Sequence, residues 1–194
     1  MSMSAAIEVK GWCPGVLRPM QSGDGLIVRV RPHAGAVALD EARALADLAR
    51  RLGNGHIDLT RRANLQLRGL REAGLDELQA ELGRLGLVDA DAETEAVRNV
   101  MLAPLADVVS DAHAIAVSLE KALAGDRRLR DLPTKFGLLI DDGGAVSIAG
   151  ERVDICLRAV AGQVAVGLDT PAGTRWLGAC APGAAADVAV RAMH

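Results

Sequence analysis

Between Leu26 and Gly86 the spacing of apolar residues changes from a period of two to a helical period and back, and that order leaves few folds open. Residues 26–31 (LIVRVR) are β-branched and alternate at their end, which predicts a strand. Residues 39–52 place Leu45, Leu48, Ala49 and Leu52 on one helical face, with Asp40 expected as N-cap and Gly53 as the stop. Residues 55–59 and 64–69 read as two short strands around a polar break. A second helix is expected over residues 75–85, marked by Leu75, Leu78, Leu82 and Leu85 and ended by Gly86. The order β-α-β-β-α is most of a ferredoxin-like α+β unit.

Residues 88–96 (VDADAETEA) are acidic and weakly patterned, and are expected to link this unit to a second one, dividing the chain into residues 1–90 and 91–194. Val97–Val100 is expected to be extended and to lead into a loop around Pro104. A helix over residues 111–124 would turn Ile115, Leu119 and Leu123 inward, capped by Ser110 or Asp111 and stopped by Gly125. Residues 136–140 and 145–149 flank Asp141-Asp142-Gly143-Gly144, which predicts a hairpin. Strands are expected at 153–160 and 164–168, and the Ala-rich tail after Pro182 suggests a last helix. The fold class is therefore α+β, in two tandem units.

Composition excludes several functions. The 194 residues carry a net charge of −3, with 50% hydrophobic and 24% charged residues, as an ordinary globular protein does. No run of 18 apolar residues is present, and Met1–Gly11 lacks the pattern of a secretory leader, so the expectation is a cytoplasmic protein with no membrane partner. Trp12, Phe136 and Trp176 are the only aromatic residues, too few to stack bases, which argues against a nucleic-acid partner. Cys13, Cys156 and Cys180 suit a reducing compartment and form no C-x-x-C pair. A four-iron cluster needs four thiolates, so this chain alone is expected to bind none, nor any other metal. His33, His56, His113 and His194 are scattered without ligand spacing. Ser22-Gly23-Asp24-Gly25 reads as a turn, no phosphate-cradling loop occurs, and no serine sits in a nucleophile motif. Catalytic residues cannot be named from pattern alone.

One segment points to chemistry. If residues 62–68 are extended, Leu65 and Leu67 face a core while Arg62, Asn64, Gln66 and Arg68 line the other face without an acid among them. Guanidiniums present a rigid fork that matches carboxylate, phosphate or sulfate. In residues 26–31, Arg29 and Arg31 share a face and would extend the same cationic surface if the strands lie in one sheet. The bland alternative is a solvated sheet face whose arginines serve solubility.

Several stretches also resemble known proteins. Gly11-Trp12-Cys13-Pro14-Gly15-Val16-Leu17-Arg18-Pro19-Met20 and Ser22–Val30 resemble the opening of the precorrin-3B synthases of aerobic cobalamin biosynthesis. Gly55–Gln66 is similar to the T-x-R-x-x-x-Q stretch of the wider nitrite/sulfite reductase family. Arg98-Asn99-Val100 and Leu132-Pro133-Thr134-Lys135-Phe136 resemble two further motifs of that family, R-N-V and L-P-x-K-F.

The resemblance implies an oxidoreductase family built as two similar halves, each a ferredoxin-like half domain followed by a larger unit of the sirohaem-domain type. It implies sirohaem or a related tetrapyrrole, and a four-iron four-sulfur cluster whose cysteines lie in the second half. By position it assigns Arg62, Arg98 and Lys135 to the tetrapyrrole carboxylates or the substrate anion. A further lysine, expected two residues beyond Lys135 in sulfite reductases, is Gly137 here. The implied ligand is a polycarboxylate tetrapyrrole, and the implied partner a second half-chain or another copy of this chain. A fragment of a sirohaem-dependent sulfite or nitrite reductase, and a tetrapyrrole-binding protein without catalysis, stand as alternatives.

Overall fold

A computed structural model describes residues 12–105 and 111–194. The leaderless reading of Met1–Gly11, the Gly11 of the first motif and the Ser110 cap lie outside those residues.

The first sheet is antiparallel throughout. It comprises β1 (Met20–Ser22), β2 (Gly25–Val30), β3 (Ile57–Leu59) and β4 (Leu65–Leu70), in the order β1-β2-β4-β3. Val28 and Val30 of β2 and Leu67 and Leu70 of β4 point into a core closed by α1 (Leu39–Leu52) and α2 (Leu75–Arg84). Leu45 and Leu48 of α1 and Leu78 and Leu82 of α2 are almost wholly buried there, each side chain contributing about 1.5–3 kcal/mol. The helical cap differs from expectation: Ala38 is the N-cap, its N–H donating to the Glu41 carboxylate at 2.8 Å, and Asp40 lies within the first turn. Gly53 ends α1 as predicted, because a Cβ there would lie 2.4 Å from the Arg68 carbonyl oxygen on β4.

The acidic stretch is not a plain link. Residues Ala92–Val97 form a short helix, α3, whose N-cap Asp91 accepts from the Thr94 N–H at 2.7 Å. It leads to β5 (Val100–Leu102). The second sheet runs β5-β6-β7-β8-β9, from β6 (Leu138–Asp141), β7 (Ile155–Val160), β8 (Gln163–Thr170) and β9 (Gly173–Cys180). The first three strands are parallel and the last two pairings antiparallel. Helix α4 (Asp111–Gly125) carries the chain from β5 to β6, and α5 (Ala185–Met193) packs on it. Ile115, Leu119 and Leu123 are buried against Leu138, Ile140, Ile155 and Leu157, as their spacing predicted.

The predicted hairpin across residues 136–149 is not formed. β6 has β5 and β7 as parallel neighbours on its two sides, so residues 145–149 find no edge to pair with. Asp141 instead accepts from the Gly143 N–H and the Ser147 hydroxyl, which turns the chain away. β9 was not anticipated. The first core draws on residues up to Val88 and the second on residues from Val100 onward, with Ala34 the one early residue in the latter. Among the described residues, no helix is long and apolar enough to cross a membrane.

Candidate functional site

Three cations from different elements meet on one cavity of about 320 Å³: Arg29 of β2, Arg62 of the turn before β4, and Lys135 of the loop before β6. Cys13, Asn99 and Thr134 complete its lining, and among the described residues no carboxylate lines it. Arg29 arrives there because β2 alternates: with Val28 and Val30 inward, its side chain leaves by the opposite face, opposite Gln66 in the ladder.

Arg62 arrives for another reason. Residues 61–63 form a turn and not the extended segment expected, with Ala63 held at φ 54°. The turn is closed by Thr60 N–H to Asn64 O at 2.9 Å and by Asn64 N–H to the Thr60 hydroxyl at 3.1 Å. It carries Arg62 across to the second unit, where Nη1 donates to the Lys135 carbonyl oxygen at 2.6 Å. The Nε of Arg29 is buried without a hydrogen-bond partner among the described residues.

The other predicted residues go elsewhere. Arg98 is 3% exposed and forms a fork on Asp89, with Nε–Oδ1 at 2.8 Å and Nη2–Oδ2 at 2.9 Å. Its Nη2 also donates to the Arg31 carbonyl oxygen, and its Nη1 lies 3.5 Å from Glu120. Arg98, expected to hold ligand carboxylates, does not line the cavity, and internal carboxylates occupy its donors. Arg31 is equally buried, 3.5 Å from Glu95, and does not join the cavity; burial pushes its pKa down, against the nearby Glu95 charge. Asn64 is buried within its turn.

Arg68 is neutralised by Asp24 and Asp58, both at 3.1 Å. The acid-free strip read from residues 62–68 is therefore corrected as well. Alternation sorts side chains within one strand, but the acids come from neighbours: Asp58 of β3 stands opposite Gln66, and Asp24 from the turn after β1 reaches Arg68.

None of Asn99, Thr134 and Cys13 is singled out by the sequence as a site residue: Asn99 and Thr134 enter only within the R-N-V and L-P-x-K-F motifs, and Cys13 within a motif and the cysteine count. Asn99 is structural to the cavity: its Nδ2 lies 3.0–3.3 Å from the carbonyl oxygens of Ala96, Thr134 and Phe136 and ties the 134–136 loop to the end of α3. On the other side of the 60–63 turn lies a larger cavity of about 520 Å³, lined by Thr60, Arg61 and Ala63 and by apolar residues such as Val37, Met101 and Ile148. An ionic chain runs from half-exposed His33 through buried Glu120 to buried Arg98. The His33 Nδ1 is 2.8 Å from Glu120, whose hydrogen bond raises the histidine pKa above its ordinary value against partial desolvation.

The thiols do not make a metal site. Cys156 is buried in β7, Cys180 ends β9, and no group of three or more His, Cys, Asp or Glu among the described residues could hold a metal ion. The three cysteines do not fit a four-iron cluster.

Residues 18–85 match the nitrite/sulfite reductase ferredoxin-like half domain. Over 172 residues, 87% of the chain, the sequence is 37% identical to a precorrin-3B synthase from Sinorhizobium sp, covering 35% of that protein. It is 31% identical over 153 residues to a ferredoxin–nitrite reductase of Synechococcus elongatus, covering 74% of this chain and 30% of the relative. The structure of the Mycobacterium tuberculosis NirA protein superposes with a TM-score of 0.67 at 24% identity, covering 87% of this chain and 35% of that one, a likeness of fold. The chain thus spans about a third of the length of the curated relatives it matches. By residues 18–85, the chain carries the ferredoxin-like half domain of the nitrite/sulfite reductases.

Proposed function

We propose that this chain is the tetrapyrrole-binding first part of a precorrin-3B synthase-like oxidoreductase of cobalamin biosynthesis, and that Arg29, Arg62 and Lys135 receive carboxylates of the macrocycle. The observation that carries this reading is the convergence of three cations on one cavity that, among the described residues, no carboxylate lines. Carboxylates of a flexible rim gain from guanidinium forks and from a local positive field, even on a chain of net negative charge. Within the proposal, the cluster and any sirohaem chemistry are supplied from outside these 194 residues, since the three thiols here do not fit a cluster.

The nitrite reductase relatives favour a second reading, in which the cavity takes a small inorganic anion. Gly137 weighs against it, because the position where the resemblance expects a second lysine carries no side chain. Fluorescence titration with uroporphyrin, an octacarboxylate, and with mesoporphyrin, a dicarboxylate, tests the proposal. Tighter binding of the octacarboxylate, weakened by added salt and by Lys135→Ala, is expected. Equal binding of both, or competition by nitrite or sulfite at low concentration, would favour the small-anion reading.

A further inference from the structure

The walls of the cationic cavity come from segments far apart in sequence, and one short stretch at the end of α3 is bonded to three of them. Asn99 holds the 134–136 loop, and Arg98 holds the Arg31 carbonyl oxygen beyond β2. Glu95 holds the third wall. Its carboxylate accepts from the N–H groups of Val16, at 2.5 Å, and Leu17, at 3.1 Å, and lies 3.5 Å from the Arg31 guanidinium. Glu95 therefore joins the segment that presents Cys13 to the strand that presents Arg29.

Glycine is what lets this carboxylate in. A Cβ on Gly15 would lie 2.1 Å from one Glu95 oxygen and 2.7 Å from the other, so any other residue at 15 must push the carboxylate out. Glu95 is only 3% exposed. A buried carboxylate beside a buried guanidinium is a poor source of net stability, since the desolvation cost offsets much of the attraction. Its return is fixed geometry.

We propose that Glu95 is a positioning residue of the anion site: by clamping the 15–17 backbone to Arg31 it sets where Cys13 and Arg29 stand around the bound carboxylate. This rests on the anion-binding reading above, so the test carries a readout that needs no tetrapyrrole. Cys13 itself is the reporter. Its rate of modification by an anionic methanethiosulfonate, divided by the rate with a neutral one, measures the cationic field at its sulfur, followed at the peptide level so that Cys156 and Cys180 do not contribute. The full chain is used with Glu95→Ala, Glu95→Gln and Gly15→Ala, and urea unfolding is measured in parallel.

The unaltered chain is expected to favour the anionic reagent. Glu95→Ala and Gly15→Ala are expected to lower that ratio and to weaken uroporphyrin binding, each about tenfold, equivalent to about 1.4 kcal/mol. Glu95→Gln, whose amide oxygen still accepts one N–H, falls between. An unchanged ratio in folded Glu95→Ala overturns the proposal. Should that variant not fold, an unchanged ratio in both Glu95→Gln and Gly15→Ala overturns it equally. If uroporphyrin fails to bind the unaltered chain while the ratio still falls in the variants, the tetrapyrrole reading fails and the positioning role stands.

Discussion

Arg62 donates through Nη1 to the carbonyl oxygen of Lys135 at 2.6 Å, joining two residues 73 positions apart. The contact ties the turn of the first unit to the loop of the second. It also sets one guanidinium against the backbone of a residue whose own side chain is cationic, so that two positive groups face one cavity.

Arg62→Ala removes a cation and this tie together. Uroporphyrin affinity is expected to fall by at least about tenfold, or about 1.4 kcal/mol. Arg62→Lys should recover part of it, because a lysine restores charge without the planar fork. Titrations of both variants at low and moderate salt check this, and equal affinities for the two variants would contradict it.

Arg98 should behave in the opposite way. Arg98→Ala strands Asp89 in a buried setting and takes one of the partners of Glu120, and loss of one partner from such a group costs about 3–5 kcal/mol. Urea unfolding is expected to show that loss. Lys135→Ala, at an exposed position, should change stability by no more than about 0.5 kcal/mol while weakening the ligand.

Stability should also depend on pH through His33. Its pKa is raised in the folded chain above the ordinary 6.5 by the hydrogen bond to Glu120, with Arg98 opposing and Asp89 assisting. A histidine raised on folding contributes its stability fully below about 6.5, and loses it as pH climbs through the folded value. The side chain is 49% exposed, so the slope is shallow after solvent screening. The urea midpoint is expected to drift down between pH 6 and 9, and His33→Gln should flatten that part of the drift.

Gly137→Ala should be tolerated. Its φ is not positive, and a Cβ would meet Val153 at 3.6 Å and the Arg62 guanidinium at 3.9 Å, both ordinary contacts. Removing glycine freedom from the unfolded chain is then worth about 0.4–1 kcal/mol of added stability. Thermal unfolding reads the sign; a lower midpoint would mean the backbone there is less accommodating than its contacts indicate.

Local pattern was a good guide wherever one face of one element decided the outcome. The span of α1 and the inward faces of α2 and α4 follow from leucine spacing, since burial of a stripe is a property of the segment itself. The Asp142-Gly143-Gly144 turn misled because turn chemistry fixes a change of direction and not the strand that follows. Both neighbours of β6 were already taken by β5 and β7, which no local signal reports. Short α3 was lost for a similar reason: six residues bounded by an Asx cap carry too little periodicity to separate from a loop.

By itself the sequence determined the periodicities, the α+β class, the count of three thiols, and which segments are rich in arginine. Which of those arginines remain available was decided only in three dimensions. Arg29, Arg62 and Lys135 keep an open face, while Arg98, Arg31 and Arg68 meet Asp89, Glu95, Asp24 and Asp58 from other elements. A guanidinium takes whichever carboxylate the fold brings within hydrogen-bond reach, and that partner is set by register and packing between segments, which spacing along one segment does not encode.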